Sequence, residues 1–280
     1  MDILPNTLYV VGTPIGNLGD FSPRAAEVLR GVSFIAAEDT RVTRKLLSHL
    51  DIHTPLVSYH EHNMLESGEK IIEKLLDGQS AALVTDAGMP AISDPGQELV
   101  KLCRERGAEV AAVPGPSAVT AALALSGVRA GRFCFEGFLS VNKRSRREHL
   151  AQLKDEPRVM VFYEAPHKLT AALKDFLEAF GDRKIVLARE MTKLHEEVVS
   201  ATLAEAIKRY TENAPRGEFV LVIEGAPPKT EQAADGLALA RGLIAEGVSL
   251  SRAARSAAAD SGMNRAEIYR LLLEENRENT

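Results

Sequence analysis

Tryptophan is absent from this 280-residue chain, aromatic residues make up only 5% of it, and cysteine occurs twice. Cys103 and Cys134 stand far apart with no Cys-x-x-Cys pair, which argues against a disulfide framework and a thiolate zinc site. Long apolar runs are missing too: none approaches the roughly 20 residues of a membrane helix. The opening Met-Asp-Ile-Leu-Pro-Asn lacks the basic start and apolar stretch of a signal peptide. The expectation is a soluble, cytoplasmic protein with reduced thiols and no membrane partner. An excess of positive charge is also lacking, since 34 Lys and Arg face 39 Asp and Glu for a net charge of −5. The chain is therefore no basic nucleic-acid coat, although a local basic patch remains open. Its 20 glycines and 13 prolines are scattered, which excludes a collagen-like repeat.

What remains is ordinary globular material, 45% hydrophobic and 26% charged, long enough for two domains at roughly 150 residues each. Short β-branched runs alternate with helix-length amphipathic segments from Leu8 to Glu224, the pattern of α/β units. Strands are expected to begin near Leu8, Ser33, Ser80, Ala108, Arg158, Lys184 and Glu218. Most are continuous apolar runs suited to burial on both faces. Ser22-Pro23 and Asp94-Pro95 each read as an N-cap followed by proline at the first helical position, with helices closing at Gly31 and Gly107. The Pro114-Gly115-Pro116 turn marks a boundary, giving an N-terminal α/β lobe over 1–114 and a second over 115–226. Beyond the linker-like Ala226-Pro227-Pro228-Lys229, residues 235–280 carry helical periodicity and no strand run. There SLSRAARSAAADSG and MNRAEIYRLLLE outline a helix-turn-helix. Its six arginines are outnumbered by seven acids, so a packing or dimerising hairpin is an equal reading.

Open α/β sheets bind ligands beyond the carboxyl ends of their strands, so the loops there hold the candidates. Gly12-Thr13-Pro14-Ile15-Gly16-Asn17-Leu18-Gly19 follows the first strand but matches neither a GxGxxG nor a Walker loop, so no phosphate cradle is expected. The second loop, Asp86-Ala87-Gly88-Met89-Pro90, is dense in small residues that would bring backbone against a flat ligand, with Asp86 able to accept from ribose hydroxyls or an amino group. Within the same stretch Asp94 is read as a helix cap. Val113-Pro114-Gly115-Pro116 follows a third strand and opens a helix at Ser117 and Ala118. In the second lobe Phe162-Tyr163-Glu164 and Arg189-Glu190-Met191-Thr192-Lys193 end strands, which implies a cleft between lobes.

The strings GTPIGNLGD at 12–20, AEDTR at 37–41, SYHEHN at 58–63, DAGMPAISDPG at 86–96, VPGPSA at 113–118, EGFL at 136–139, FYEAPHK at 162–168 and REMTKLHEE at 189–197 resemble the RsmI-type small-subunit ribosomal RNA methyltransferases of the tetrapyrrole methylase fold. The likeness runs in order from about Leu8 to about Gly225. It implies two lobes with a cleft, S-adenosylmethionine as methyl donor, and a cytidine ribose 2′-hydroxyl of small-subunit ribosomal RNA as acceptor, on naked RNA or the assembled subunit. A homodimer is implied as well. The donor would be held by Asp86, Ala87, Gly88, Met89 and Pro90, by Ser117 and Ala118, and by Phe162 and Tyr163, with Gly12 and Pro14 beside them. Many relatives carry threonine where Met89 stands.

Methyl transfer to a hydroxyl needs alignment and is assisted by a base. Glu38, Asp39, His60, His62, Glu190, Lys193 and Glu197 are candidates, with Glu190 and Lys193 preferred because they end a buried strand; an ion pair between Arg189 and Glu190 is the structural alternative. Lys143, Arg144, Arg146 and Arg147, with Arg41, are the expected RNA-phosphate contacts. Tyr59, Phe138 and Tyr163 are candidates to stack a splayed base. His49 and His53, with His60 and His62, raise a metal site, but no HExxH or CxxC completes it and no metal is expected. Two rival readings stay in view: a same-fold methylase acting on a tetrapyrrole, and a non-enzymatic nucleic-acid-binding regulator using the C-terminal helices.

Overall fold

In the computed structural model, which describes residues 2–226, 230–261 and 263–278, the apolar runs become the middles of two five-stranded sheets. The first contains β1 (Thr7–Val11), β2 (Phe34–Ala37), β3 (Leu56–Ser58), β4 (Ser80–Val84) and β5 (Glu109–Val113). Every pairing is parallel, in the order β3-β2-β4-β1-β5. Four helices cover it: α1 (Pro23–Gly31), α2 (Thr40–His49), α3 (Met64–Leu76) and α4 (Gln97–Arg106). Alternate side chains of one strand serve opposite faces. Tyr9 and Val11 join Val28, Leu29 and Leu47 in one core, while Leu8 joins Ile71, Ile72, Leu75, Leu99 and Cys103 in the other. Because α1 and α4 leave the adjacent strands β1 and β4 toward opposite faces, a crevice opens between the ends of those two strands.

The second sheet contains β6 (Phe133–Phe138), β7 (Val159–Glu164), β8 (Lys184–Arg189), β9 (Glu197–Thr202) and β10 (Phe219–Ile223), in the order β6-β7-β10-β8-β9. It is mixed: β6 and β7 are parallel, whereas β10 runs antiparallel to both its neighbours and β9 antiparallel to β8. α6 (Lys143–Gln152), α7 (Pro166–Phe180) and α8 (Leu203–Glu212) pack on one face through Leu150, Leu173, Phe176 and Leu203. α5 (Ala118–Ser126) packs on the other through Val119, Ala122 and Leu123. Both sheets lie in one compact unit, Met1–Gly225; the remaining unit, Ala226–Thr280, holds α9 (Thr230–Ala245), α10 (Leu250–Ser261) and α11 (Arg265–Glu278) around Ala240, Ala253, Ala257, Ile268 and Leu272. Gly262, expected at the turn, and the segment 227–229 lie outside the described residues.

Several local expectations need correction. β3, β6 and β9 carry too few consecutive buried residues to announce themselves. β5 is not buried on both faces, with Glu109 and Ala112 exposed and only Val113 fully buried, because it is an edge strand paired only with β1. Ser22 does cap α1, its side chain accepting from Ala25 N. Asp94 caps nothing: α4 begins after Gly96, whose φ of 144° no ordinary side chain adopts, and the helix start has no side-chain cap.

Candidate functional site

The loops after β1, β4 and β5 are laced together by backbone. Thr13 N donates to Gly88 O at 2.9 Å, Gly88 N returns a bond to Thr13 O at 3.1 Å, and Thr13 Oγ1 donates to Thr85 O at 3.0 Å. Gly12 N donates to Val113 O at 3.1 Å. Gly12 and Gly115 lie so close that a Cβ on Gly12 would stand 2.7 Å from Gly115 Cα and 2.7 Å from Met89 Sδ. The bare backbone of Gly12 therefore faces another loop rather than a ligand, which corrects its expected role.

Between these loops and one end of the second sheet lies a cavity of about 460 Å³, within the range of small-molecule sites. Asp86, Ala87, Gly88, Met89, Ser117, Ala118, Tyr163, Glu190 and Lys193 line it. Gly12, Pro14 and Pro90 are not on its wall, and neither is Phe162. Phe162 is fully buried behind the sheet, its ring centroid 4.8 Å from that of Phe176. Neighbouring residues of a strand face opposite ways, so placing Tyr163 in the cavity forces Phe162 into the core. Tyr59 is likewise a core residue, 1% exposed, and offers no stacking surface. Phe138 does: it lines the cavity, is 56% exposed and tilts against Tyr163 at 5.4 Å between centroids.

Sequence reasoning missed Thr85, Asp94, Met191, Phe219 and Val220 on the wall. The rule that sites gather at carboxyl ends presumes parallel strands. β10 is antiparallel to β7 and β8, so its amino end, Phe219 and Val220, shares the cavity with their carboxyl ends.

One side of the cavity is acidic. Thr85 Oγ1 donates to Glu38 Oε2 at 2.5 Å, and Asp39 N donates to Asp86 Oδ1 at 3.2 Å. Burial, and then the charge of Glu38, raise the Asp86 carboxyl above its ordinary range. The same causes, joined by Asp86, push Asp94 up to about 6. Opposite, burial followed by the charge of Asp94 moves the Tyr163 phenol up to about 12. Glu164 is only 5% exposed, accepts from Ala165 N at 2.9 Å, and is raised by burial.

The 190–193 turn forms a separate clamp. Lys193 Nζ bonds Glu190 Oε1 at 2.8 Å and Glu218 Oε2 at 3.0 Å, and Glu190 Oε1 also accepts from Glu218 N at 2.9 Å. Glu190 and Thr192 hold left-handed φ values of 50° and 66°, which non-glycine residues adopt only when their surroundings impose them. Gly217 makes room, since a Cβ there would stand 2.3 Å from Glu190 Cγ. Hydrogen bonding from Lys193 holds Glu190 below the usual carboxylate range, and although burial opposes it, the paired carboxylates keep Lys193 above the usual amine range. A lysine so held stays protonated and a carboxylate so held is a weak base, which counts against the acid-base role expected of this pair. Arg189 pairs not with Glu190 but with Glu197, at 3.1 Å.

Of the basic run, Asn142 caps α6, and Lys143, Arg144 and Arg147 are exposed. Arg144 reaches Glu148 at 2.8 Å and Arg147 stands 3.8 Å from Glu178. Arg146 is different: it is locked to Asp175 at 2.6 Å with side chains only 20% and 16% exposed, so it is not available to a phosphate. Arg41 is 84% exposed but forked onto Asp39, the cap of α2, at 2.6 Å. Among the described residues no three His, Cys, Asp or Glu side chains converge on a metal position, and no helix is long and apolar enough to cross a membrane. A second hollow, of about 750 Å³, lies on α9 and α10 beside Ala238, Leu243 and Asp260.

Residues 7–207 match the family model of the tetrapyrrole (corrin/porphyrin) methylases. The chain belongs to that family. Proteins named ribosomal RNA small subunit methyltransferase I are similar over nearly the full length: one from Synechocystis is 49% identical, covering 95% of this chain and 97% of its own. That of Escherichia coli O157:H7 is 43% identical over 96% and 95%. A Thermotoga maritima protein of the same name is 49% identical over 218 residues, 78% of this chain and 98% of its own. Among solved structures a cobalamin biosynthetic enzyme, cobalt precorrin-4 methyltransferase, has the same fold at a TM-score of 0.59 and 16% identity, over 78% of this chain and 94% of that one. This methylase family member is an enzyme, and its two-sheet unit is the methylase fold.

Proposed function

We propose that the chain transfers a methyl group from S-adenosylmethionine to a cytidine ribose 2′-hydroxyl in small-subunit ribosomal RNA. The observation that carries the reading is the cavity itself: small-residue loops, an acidic side and an aromatic mouth, in a chain whose near-full-length relatives bear the name of a ribosomal RNA methyltransferase. The donor supplies a methyl carbon already activated by sulfonium charge. The residues present fit it. Glu38 and Asp86 offer negative charge to a sulfonium and an ammonium group, and Ser117 heads α5 without forming a cap bond, leaving amides for a carboxylate. Ala87, Gly88 and Ala118 let backbone approach a flat ring.

On the acceptor side, Phe138 and Tyr163 give a splayed base a surface to stack on. Lys143, Arg144 and Arg147 on α6 follow Phe138 closely in the chain and would hold phosphates, with Arg41 on the other side of the crevice. The Glu190–Lys193–Glu218 clamp fixes the 190–193 turn in the cavity wall and aligns what binds there. A homodimer working in the cytoplasm belongs to the same reading and rests on the family resemblance. The test is incubation of the chain with methyl-labelled S-adenosylmethionine and small ribosomal subunits, naked ribosomal RNA or a tetrapyrrole. Label in a cytidine ribose of the RNA is the expected result; label in the tetrapyrrole alone would refute the reading.

A further inference from the structure

We propose that Asp94 is the catalytic base, the residue that takes the proton from the hydroxyl being methylated. The inference rests on the methyl-transfer reading above and deepens it by naming the group that touches the reacting oxygen.

Local chemistry would have used Asp94 otherwise. Ser-Asp-Pro-Gly before an amphipathic run is a helix-cap sequence, yet α4 starts only at Gln97 and its cap residue is Gly96. The backbone reaches this arrangement through Ala91 at φ 68°, Ser93 at φ 63° and Gly96 at φ 144°. Two non-glycine residues in left-handed conformations and an uncapped helix each cost stability, and their joint outcome is that Asp94 faces the cavity. Backbone strain of this kind gathers where a site requires it.

The neighbours then decide what Asp94 can do. Glu38 and Asp86 lie close enough for their charges to act on it, and Tyr163 faces it from the second lobe. Thr85 is its one hydrogen-bonding neighbour, but the single Thr85 hydroxyl proton is directed to Glu38 Oε2 at 2.5 Å. No cation pairs with Asp94 among the described residues, whereas Glu190 is held by Lys193 and Asp39 by Arg41. Glu164 is more deeply buried and spends an oxygen on Ala165 N. Of the carboxylates around the cavity, Asp94 thus combines access with the least stabilised charge, and its proton affinity near pH 6 is that of a useful base at neutral pH. The step balances: as the hydroxyl oxygen bonds to the methyl carbon, the carbon–sulfur bond breaks with its electron pair going to sulfur, and the hydroxyl proton passes to the Asp94 carboxylate. Release of that proton to water restores the base.

Three proteins carry the test: wild type, Asp94→Asn and Asp94→Glu, each assayed by calorimetry with S-adenosylmethionine and by single-turnover methyl transfer to small ribosomal subunits between pH 5 and 8. Carboxyl ¹³C spectra of the free wild type and Asp94→Asn proteins locate the Asp94 titration directly. The expected result has four parts. The wild-type rate climbs about tenfold per pH unit and levels above about pH 6. The Asn variant is slower by at least about 100-fold and loses that dependence while binding the donor within a few-fold of wild type. The Glu variant recovers part of the rate, and an Asp94 carboxyl resonance titrates near pH 6. An Asn variant within about threefold of wild type, with the same pH profile, overturns the assignment of the base and leaves methyl transfer standing. A wild-type protein that binds donor but labels neither the subunits nor naked ribosomal RNA overturns both.

Discussion

The crossing of Gly12 and Gly115 makes the sharpest demand on the two-sheet unit. A Cβ added to Gly12 would lie 2.7 Å from Gly115 Cα and 2.8 Å from Gly115 N, and one added to Gly115 would lie 2.8 Å from three backbone atoms of Gly12. The obstacle is main chain, which cannot swing aside as a flexible side chain can, and it is tied down by Gly12 N to Val113 O at 3.1 Å and the Thr13–Gly88 pair. Overpacking of a tight site costs about 1–3 kcal/mol, and because neither partner can relax, the upper part of that range applies to Gly12→Ala, about 2–3 kcal/mol. For a unit of this size each kcal/mol lowers Tm by about 2–4 °C, so a fall of roughly 4–12 °C is expected. Gly131→Ala is the matched control: nothing stands within 4 Å of its added Cβ, and removal of glycine freedom from the unfolded chain should leave stability unchanged or raise it by up to about 1 kcal/mol. Differential scanning calorimetry and urea unfolding of the two full-length variants read the difference. Equal stability of Gly12→Ala and wild type would mean that the loops do not meet, and the floor of the cavity would then be built some other way.

Four other outcomes follow from the same geometry. Gly88→Val should fold, since its Cβ meets only Ile15 Cγ2 at 3.6 Å and Pro116 O at 3.8 Å, but its φ of 88° adds strain and the isopropyl group enters the cavity; calorimetry should show S-adenosylmethionine binding weakened by at least about tenfold, roughly 1.4 kcal/mol. Replacing Lys143, Arg144 and Arg147 together with Gln should flatten the salt dependence of RNA binding, the slope falling by up to about 0.7 for each single-strand phosphate that is no longer neutralised, without changing Tm. Arg146→Gln should do the reverse, leaving the salt slope alone and destabilising by about 2–3 kcal/mol, because it strands the half-buried Asp175 carboxylate. In the folded protein Asp94 binds its proton more tightly than in the unfolded chain, moving from 3.8 to about 6. Its contribution to stability is therefore present below about pH 4 and is lost as the pH rises to about 6. Comparing Tm against pH for wild type and Asp94→Asn isolates that loss, which full desolvation would set at about 3 kcal/mol and partial exposure reduces to about 1–2 kcal/mol; parallel curves would show that Asp94 titrates normally.

Periodicity and punctuation alone determine much of this molecule. Ser22-Pro23 places the start of α1, Gly107 supplies the left-handed end of α4, and the apolar runs place β1, β2, β4, β7, β8 and β10, because these features depend on residues within a few positions of one another. The small-residue loops after β1, β4 and β5 are legible as a crevice for the same reason. Tertiary structure decided the rest, since it concerns which distant groups meet. Whether Asp94 caps a helix or enters the cavity depends on Glu38, Thr85 and the turn through Ser93 and Gly96. Whether Arg146 is a phosphate contact or a structural ion depends on Asp175, 29 residues onward, presented by α7. Lys193 pairs with Glu218 as well as Glu190 because the antiparallel course of β10 brings Glu218 beside it. Tyr163 reaches the cavity and Phe162 does not because the pleat of β7 turns successive side chains to opposite faces, and only the packed sheet says which face is which.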